Sequence, residues 1–215
     1  MKKILLFVLL LCGLTTAQAQ FKFGVRLGIS TTDLNPGDIK ILDENGLDRF
    51  NLALKEARYG VHGGLVFSFQ KNNLLIQPEI LLNSNKVDYT VTDAQGSGVV
   101  DSIRSEKYQY LDVPILLGLK FGPLRLHGGP VGHIYINSTS ELEGLDGYID
   151  RFEPFTLGYQ LGAGLTIWKL MIDIRYEGNF TKFGDHFEFF GNQYQFDQSP
   201  ARFLFSVGFL FGDTN

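Results

Sequence analysis

Cysteine is nearly missing from this chain: its one copy, Cys12, sits inside the first apolar run. No disulfide framework is available, and once that run is removed no thiolate chemistry remains. Leu11 before the cysteine is too large for a lipoprotein cleavage site. Long apolar runs are missing too. Beyond residues 4–14 no stretch approaches the 18 consecutive apolar residues of a transmembrane helix. Nor is there an excess of positive charge, with 19 Lys and Arg against 23 Asp and Glu for a formal charge of −4. A nucleic-acid footprint is therefore excluded. No linker or low-complexity tract divides the chain, and its length suits one domain.

The N-terminus has the form of a secretory signal peptide. Lys2 and Lys3 precede the apolar run, and Ala17-Gln18-Ala19 offers small residues for cleavage. Residues 1–19 are read as this signal and 20–215 as the mature domain. Losing the two lysines takes its formal charge from −4 to −6.

What the mature chain does contain is a two-residue apolar rhythm that returns eight times. In the first segment Phe21, Phe23, Val25, Leu27 and Ile29 alternate with Lys22, Gly24, Arg26, Gly28 and Ser30. The second runs from Tyr59 to Phe69. Later segments centre on Leu74–Leu82, Leu111–Phe121, Leu124–Ile136, Phe155–Ile167, Leu170–Tyr176 and Phe203–Phe211. Successive side chains of a strand face opposite ways, so each segment has an apolar face and a face of glycines, amides and charges. Short turns near 70–73, 122–123 and 168–169 alternate with long connections at roughly 32–57, 91–106, 138–154 and 181–200. This is the pattern of an eight-stranded antiparallel transmembrane β-barrel with short periplasmic turns and long extracellular loops.

Volume sets the orientation. An eight-stranded barrel has an interior just wide enough to be filled by its own side chains. The bulky Phe, Tyr, Leu and Ile of the apolar face exceed it, so they must face lipid and the small and charged residues the lumen. Arg26, His62, Glu79, Asp112, Arg175 and Glu177 fall near mid-height, and unpaired charges there would be costly. They are expected to form a hydrogen-bonded ion-pair network that plugs the lumen; a gate or proton relay is the functional alternative. Pro78, Pro114 and Pro130 lie inside strands and are expected to mark bulges or local breaks.

Gln77-Pro78-Glu79, Tyr110-Leu111-Asp112-Val113-Pro114, Gly128-Gly129-Pro130 and Arg175-Tyr176 fall in order on consecutive strands. In that arrangement the chain resembles the PorT-like outer-membrane β-barrel family, which is related in architecture to OmpA- and OmpX-type barrels. The resemblance implies outer-membrane location in a Gram-negative-type envelope. The founding member is implicated in type IX protein secretion, whereas most members have no assigned activity. The chain departs from many outer-membrane proteins in placing Gly212-Asp213-Thr214-Asn215 after its last aromatic, Phe211.

Catalysis and metal binding find little support. No His is followed two residues later by Ser, the arrangement of lipid A deacylases. His127 and His133 share a face but lie roughly 20 Å apart along a strand. The acidic stretch 141–153 matches no EF-hand spacing. No cofactor is expected. An extracellular interaction surface is expected at Phe187, Phe189, Phe190, Tyr194 and Phe196, which flank Gly191-Asn192 as a hairpin continuing strands seven and eight. A short helix is expected over residues 47–57. The chain thus reads as a non-enzymatic barrel acting as a structural or accessory envelope subunit, in secretion or assembly. The alternatives are a small porin or solute-binding channel, and an adhesin working through its loops. Expected partners are outer-membrane lipid, lipopolysaccharide and other envelope or secretion proteins.

Overall fold

The computed structural model describes residues 20–33, 39–42, 48–57, 60–93, 102–140, 148–151, 154–181, 186–189, 192–195 and 201–212. Thirteen strands account for nearly all of them. They are β1 (Gln20–Asp33), β2 (Ile39–Leu42), β3 (Asp48–Ala57), β4 (Gly60–Lys71), β5 (Leu74–Asp93), β6 (Ser102–Phe121), β7 (Leu124–Ser140), β8 (Tyr148–Arg151), β9 (Phe155–Ile167), β10 (Leu170–Asn179), β11 (His186–Phe189), β12 (Asn192–Gln195) and β13 (Ala201–Phe211). Eight of these close into an antiparallel ring in the order β1-β4-β5-β6-β7-β9-β10-β13, and β13 pairs back onto β1 from Phe23↔Phe211 to Asp33↔Ala201. Closure leaves the eight-stranded ring itself without a free edge, the only way a sheet satisfies its backbone in lipid.

The faces sort as the alternation requires. Leu27 is 73 % exposed while its neighbour Arg26 is 1 % exposed. The outer surface carries exposed Leu65, Leu82, Leu117, Leu126, Leu161 and Ile174 between two aromatic groups. One gathers at the short turns, with Phe21 against Phe69, Phe23 against Phe211 and Trp168 against Phe209. The other gathers at the opposite end, where Tyr159 packs in tilted contact with Tyr176 and Phe180, and Tyr176 meets Phe203 edge-on. An apolar band between aromatic girdles is the outer surface of a membrane barrel.

Each short turn places its first central residue in the left-handed region: Asn72 (φ 53°), Gly122 (φ 58°) and Trp168 (φ 56°). Positive φ at that position matches the right-handed twist of the flanking strands. The following residue's carbonyl reaches sideways to the neighbouring hairpin. Asn73 accepts from the Lys120 amide, Pro123 from Thr166 and Lys169 from Leu210, so the turns are stitched into a rim.

At the opposite end the expectations are corrected. Residues 48–57 form strand β3, not a helix, and β3 pairs with β5 from Phe50↔Asp93 to Ala57↔Val87. The stretch 91–106 is strand at both margins, since β5 runs to Asp93 and β6 begins at Ser102. The hairpin around Gly191-Asn192 exists as β11 and β12, but it joins β8 in a separate three-stranded sheet rather than prolonging β10 and β13. Arg58, Tyr59 and residues 1–19 lie outside the described residues.

The three strand prolines produce local breaks without bulges. Pairing of β4 with β5 skips from Val66↔Glu79 to Phe69↔Ile76 in unchanged register. That of β5 with β6 skips from Pro78↔Ile115 to Leu81↔Asp112, and that of β6 with β7 from Pro114↔Val131 to Leu117↔Gly128. Pro78 stands beside Ile115 and Pro114 beside Val131, so the gaps form one seam across β5, β6 and β7.

Candidate functional site

The lumen is filled by charge. Arg26, Arg125, Arg175 and Arg202 are all buried, and so are Glu79, Asp112, Asp173 and Glu177. Room for these long side chains comes from glycines set opposite them by the register. Gly162 faces Arg175, Gly164 faces both Asp173 and Arg125, and Arg26 lies between Gly64 and Gly208. A Cβ at Gly164 would collide with Asp173 Oδ1, and one at Gly162 would stand 2.7 Å from Arg175 Cγ. The glycines of the inward face are therefore the volume complement of the charges.

Two layers result. Nearer the short turns, Arg175 forks onto Glu79, with Nη1 to Oε2 at 2.9 Å and Nη2 to Oε1 at 2.8 Å. Arg26 approaches the same carboxylate at 3.1 Å and donates to Asp173 Oδ2 at 2.7 Å. Arg125 donates to both Asp173 oxygens, at 3.0 and 2.9 Å, and to Gln77 at 2.9 Å. Farther from the turns, Arg202 donates from Nε to Glu177 at 2.6 Å and from Nη2 to Asp112 at 2.8 Å. Asp112 also accepts from Asn83 at 2.8 Å and contacts His133 Nδ1 at 2.7 Å. Gln160 links the layers by accepting from Arg175 at 3.1 Å and donating to Glu177 at 2.7 Å. Charge-assisted bonds of this length between buried side chains are strong and directional.

Five of the six lumen residues singled out from sequence take part, in two groups. Arg26 and Arg175 converge on Glu79; Asp112 and Glu177 depend on Arg202. His62 is buried opposite Gly28, and its Nδ1 has no hydrogen-bond partner, so it stands beside the network. Asp173 and Arg125 were legible as inward by alternation, yet only the register shows that they complete the near layer. Arg202 precedes the first outward aromatic of β13, and its parity with Leu204, Ser206 and Gly208 is the signal that reveals it. Among the loop aromatics, Phe187 pairs with Tyr194 in the β11–β12 register and Phe189 with Asn192. Phe190 and Phe196 lie outside the described residues.

A closed ring with an apolar outer band, aromatic girdles and a charge-filled interior defines a membrane-spanning β-barrel. The chain belongs to the family described as the outer membrane protein beta-barrel domain, which matches residues 16–185. The match stops short of β13, the strand that closes the ring. No curated protein matches the chain in sequence. Among solved structures it is similar to Ail, the attachment invasion locus protein of Yersinia pestis, in complex with the heparin analogue sucrose octasulfate. That match has 12 % identity and a TM-score of 0.44, over 89 % of this chain and 99 % of Ail. It is also similar to neisserial surface protein A, at 11 % identity and a TM-score of 0.45, over 90 % of this chain and 98 % of the other.

Proposed function

We propose that this outer-membrane barrel is non-conducting and non-enzymatic, and that it acts by binding, as an accessory or scaffold subunit of the envelope. One observation carries the reading: four arginines and four carboxylates are locked together across the lumen, at side-chain exposures of 6 % or less. Such a core leaves the two ends as working surfaces. The outer band faces membrane lipid and the far end the lipopolysaccharide layer. The specific version in type IX-like secretion rests on the PorT-like motifs of β5, β6 and β7. Export through residues 1–19 with cleavage after Ala19 completes the reading, and intact-mass analysis of membrane fractions is expected to find a chain beginning at Gln20.

The test is conductance. In planar bilayers the purified protein is expected to give no stable steps. Steps whose size scales with salt would overturn the plug and promote the small-porin alternative. Mild-detergent capture followed by mass spectrometry then separates the binding versions. Recovery of secretion or assembly subunits supports the accessory role, whereas adhesion of intact cells lost on trimming β8, β11 and β12 favours an adhesin.

A further inference from the structure

The lumen is not filled to its end. Between the charge layers and the short turns lie Val66, Met171 and Leu210, a small apolar cluster that is almost wholly buried. Beyond it a cavity of about 460 Å³ opens at the short-turn end. Its lining includes Lys22 from β1, Ser68 and Gln70 from β4, Lys120 from β6, Arg125 from β7 and Thr166 from β9. Among the described residues no carboxylate lines it. Arg125 is paired with Asp173, whereas the ammonium groups of Lys22 and Lys120 have no carboxylate partner among the described residues. Lys120 Nζ donates to the Gln70 amide oxygen at 3.2 Å, a neutral partner, and no carboxylate among the described residues pairs with it. Two buried polar atoms in the lining, Arg125 Nε and Thr166 Oγ1, have no hydrogen-bond partner.

We propose that this mouth is a binding site for a phosphoryl-bearing anion. The cations and hydroxyls arrive from five strands around the cavity, so they meet an anion from several sides. That suits the tetrahedral oxygens of a phosphoryl group better than the two coplanar oxygens of a carboxylate, and lysine is a point-charge phosphate binder. A cavity of about 460 Å³ exceeds one phosphate and admits a small ester such as a glycerol phosphate. The phosphoryl group has two possible sources: a soluble periplasmic phosphate ester, or a phospholipid headgroup from the adjacent leaflet. Trp168 lines the same cavity.

Trp168 is the only tryptophan of the chain, which makes it the reporter. In neutral detergent micelles, glycerol 3-phosphate is expected to shift its emission saturably, while chloride at matched ionic strength does not. Lys22→Gln with Lys120→Gln should raise the apparent Kd about tenfold or more, whereas Lys71→Gln, on the turn outside the cavity, should leave it unchanged. Lys22→Arg with Lys120→Arg should retain binding, and each variant is checked for heat-modifiable migration as evidence of a closed barrel. Nanodiscs with and without phosphatidylglycerol distinguish the sources. A headgroup ligand shifts the emission in phosphatidylglycerol alone and weakens glycerol 3-phosphate by competition; a soluble ligand titrates alike in both. A response that does not saturate, that chloride reproduces, or that survives the glutamine pair in a folded barrel overturns the site.

Discussion

The two charge layers of the lumen are built on opposite imbalances. The near layer sets Arg26, Arg125 and Arg175 against Glu79 and Asp173, one positive charge too many. The far layer sets Arg202 alone against Asp112 and Glu177, one negative charge too many, with His133 and Asn83 as supporting partners. Gln160 spans the two. Neutrality is thus a property of the whole stack, and redundancy differs between its halves. Each near carboxylate has two arginines, while both far carboxylates share one.

That asymmetry orders the effects of substitution. Arg202→Ala strands Asp112 and Glu177 together and is expected to destabilise the folded barrel most, by about 3–5 kcal/mol, the usual cost of opening a buried ion pair from one side. Urea unfolding in micelles measures it, and an effect smaller than that of Arg175→Ala would break the comparison. Arg175→Ala removes the fork on Glu79 but leaves Arg26 there. The expected loss is about 2–3 kcal/mol, the scale of hydrogen bonds to a charged group. Gln160→Leu unlinks the layers at about 1–2 kcal/mol, and a double-mutant cycle with Arg175→Ala should show coupling because the two side chains bond. Lys71→Ala, at an exposed turn position, is the reference and should lie within about 0.5 kcal/mol of wild type. Equal midpoints for all four variants would mean that the inward charges are independently hydrated.

Local pattern and pairing geometry contributed different parts of this structure. The alternation in Phe21–Ser30 or Phe155–Ile167 is local, so strands, faces and turns were legible from the residues themselves. Which glycine lies opposite which charge depends on how neighbouring strands are staggered, and nothing local encodes the meeting of Arg26 with Asp173, 147 residues away. The segment Asp48–Ala57 illustrates the opposite limit. Its Leu, Ala, Lys and Glu residues favour helix, but the prolonged edge of β5 recruits it as a strand, tertiary pairing overriding a weak intrinsic preference. Arg202 escaped notice because aromatic residues dominate the segment it begins.

The proline seam has a mechanical consequence. A closed barrel resists being squeezed out of round because its ladder hydrogen bonds act as continuous hoops. In β9, β10, β13 and β1 those hoops are unbroken, whereas β5, β6 and β7 interrupt them at adjoining positions. The wall is therefore elastically uneven, with one compliant stripe in an otherwise stiff shell. Lateral pressure from the bilayer is expected to ovalise it along that stripe, so that the direction in which the tube yields is written into its strand pairing.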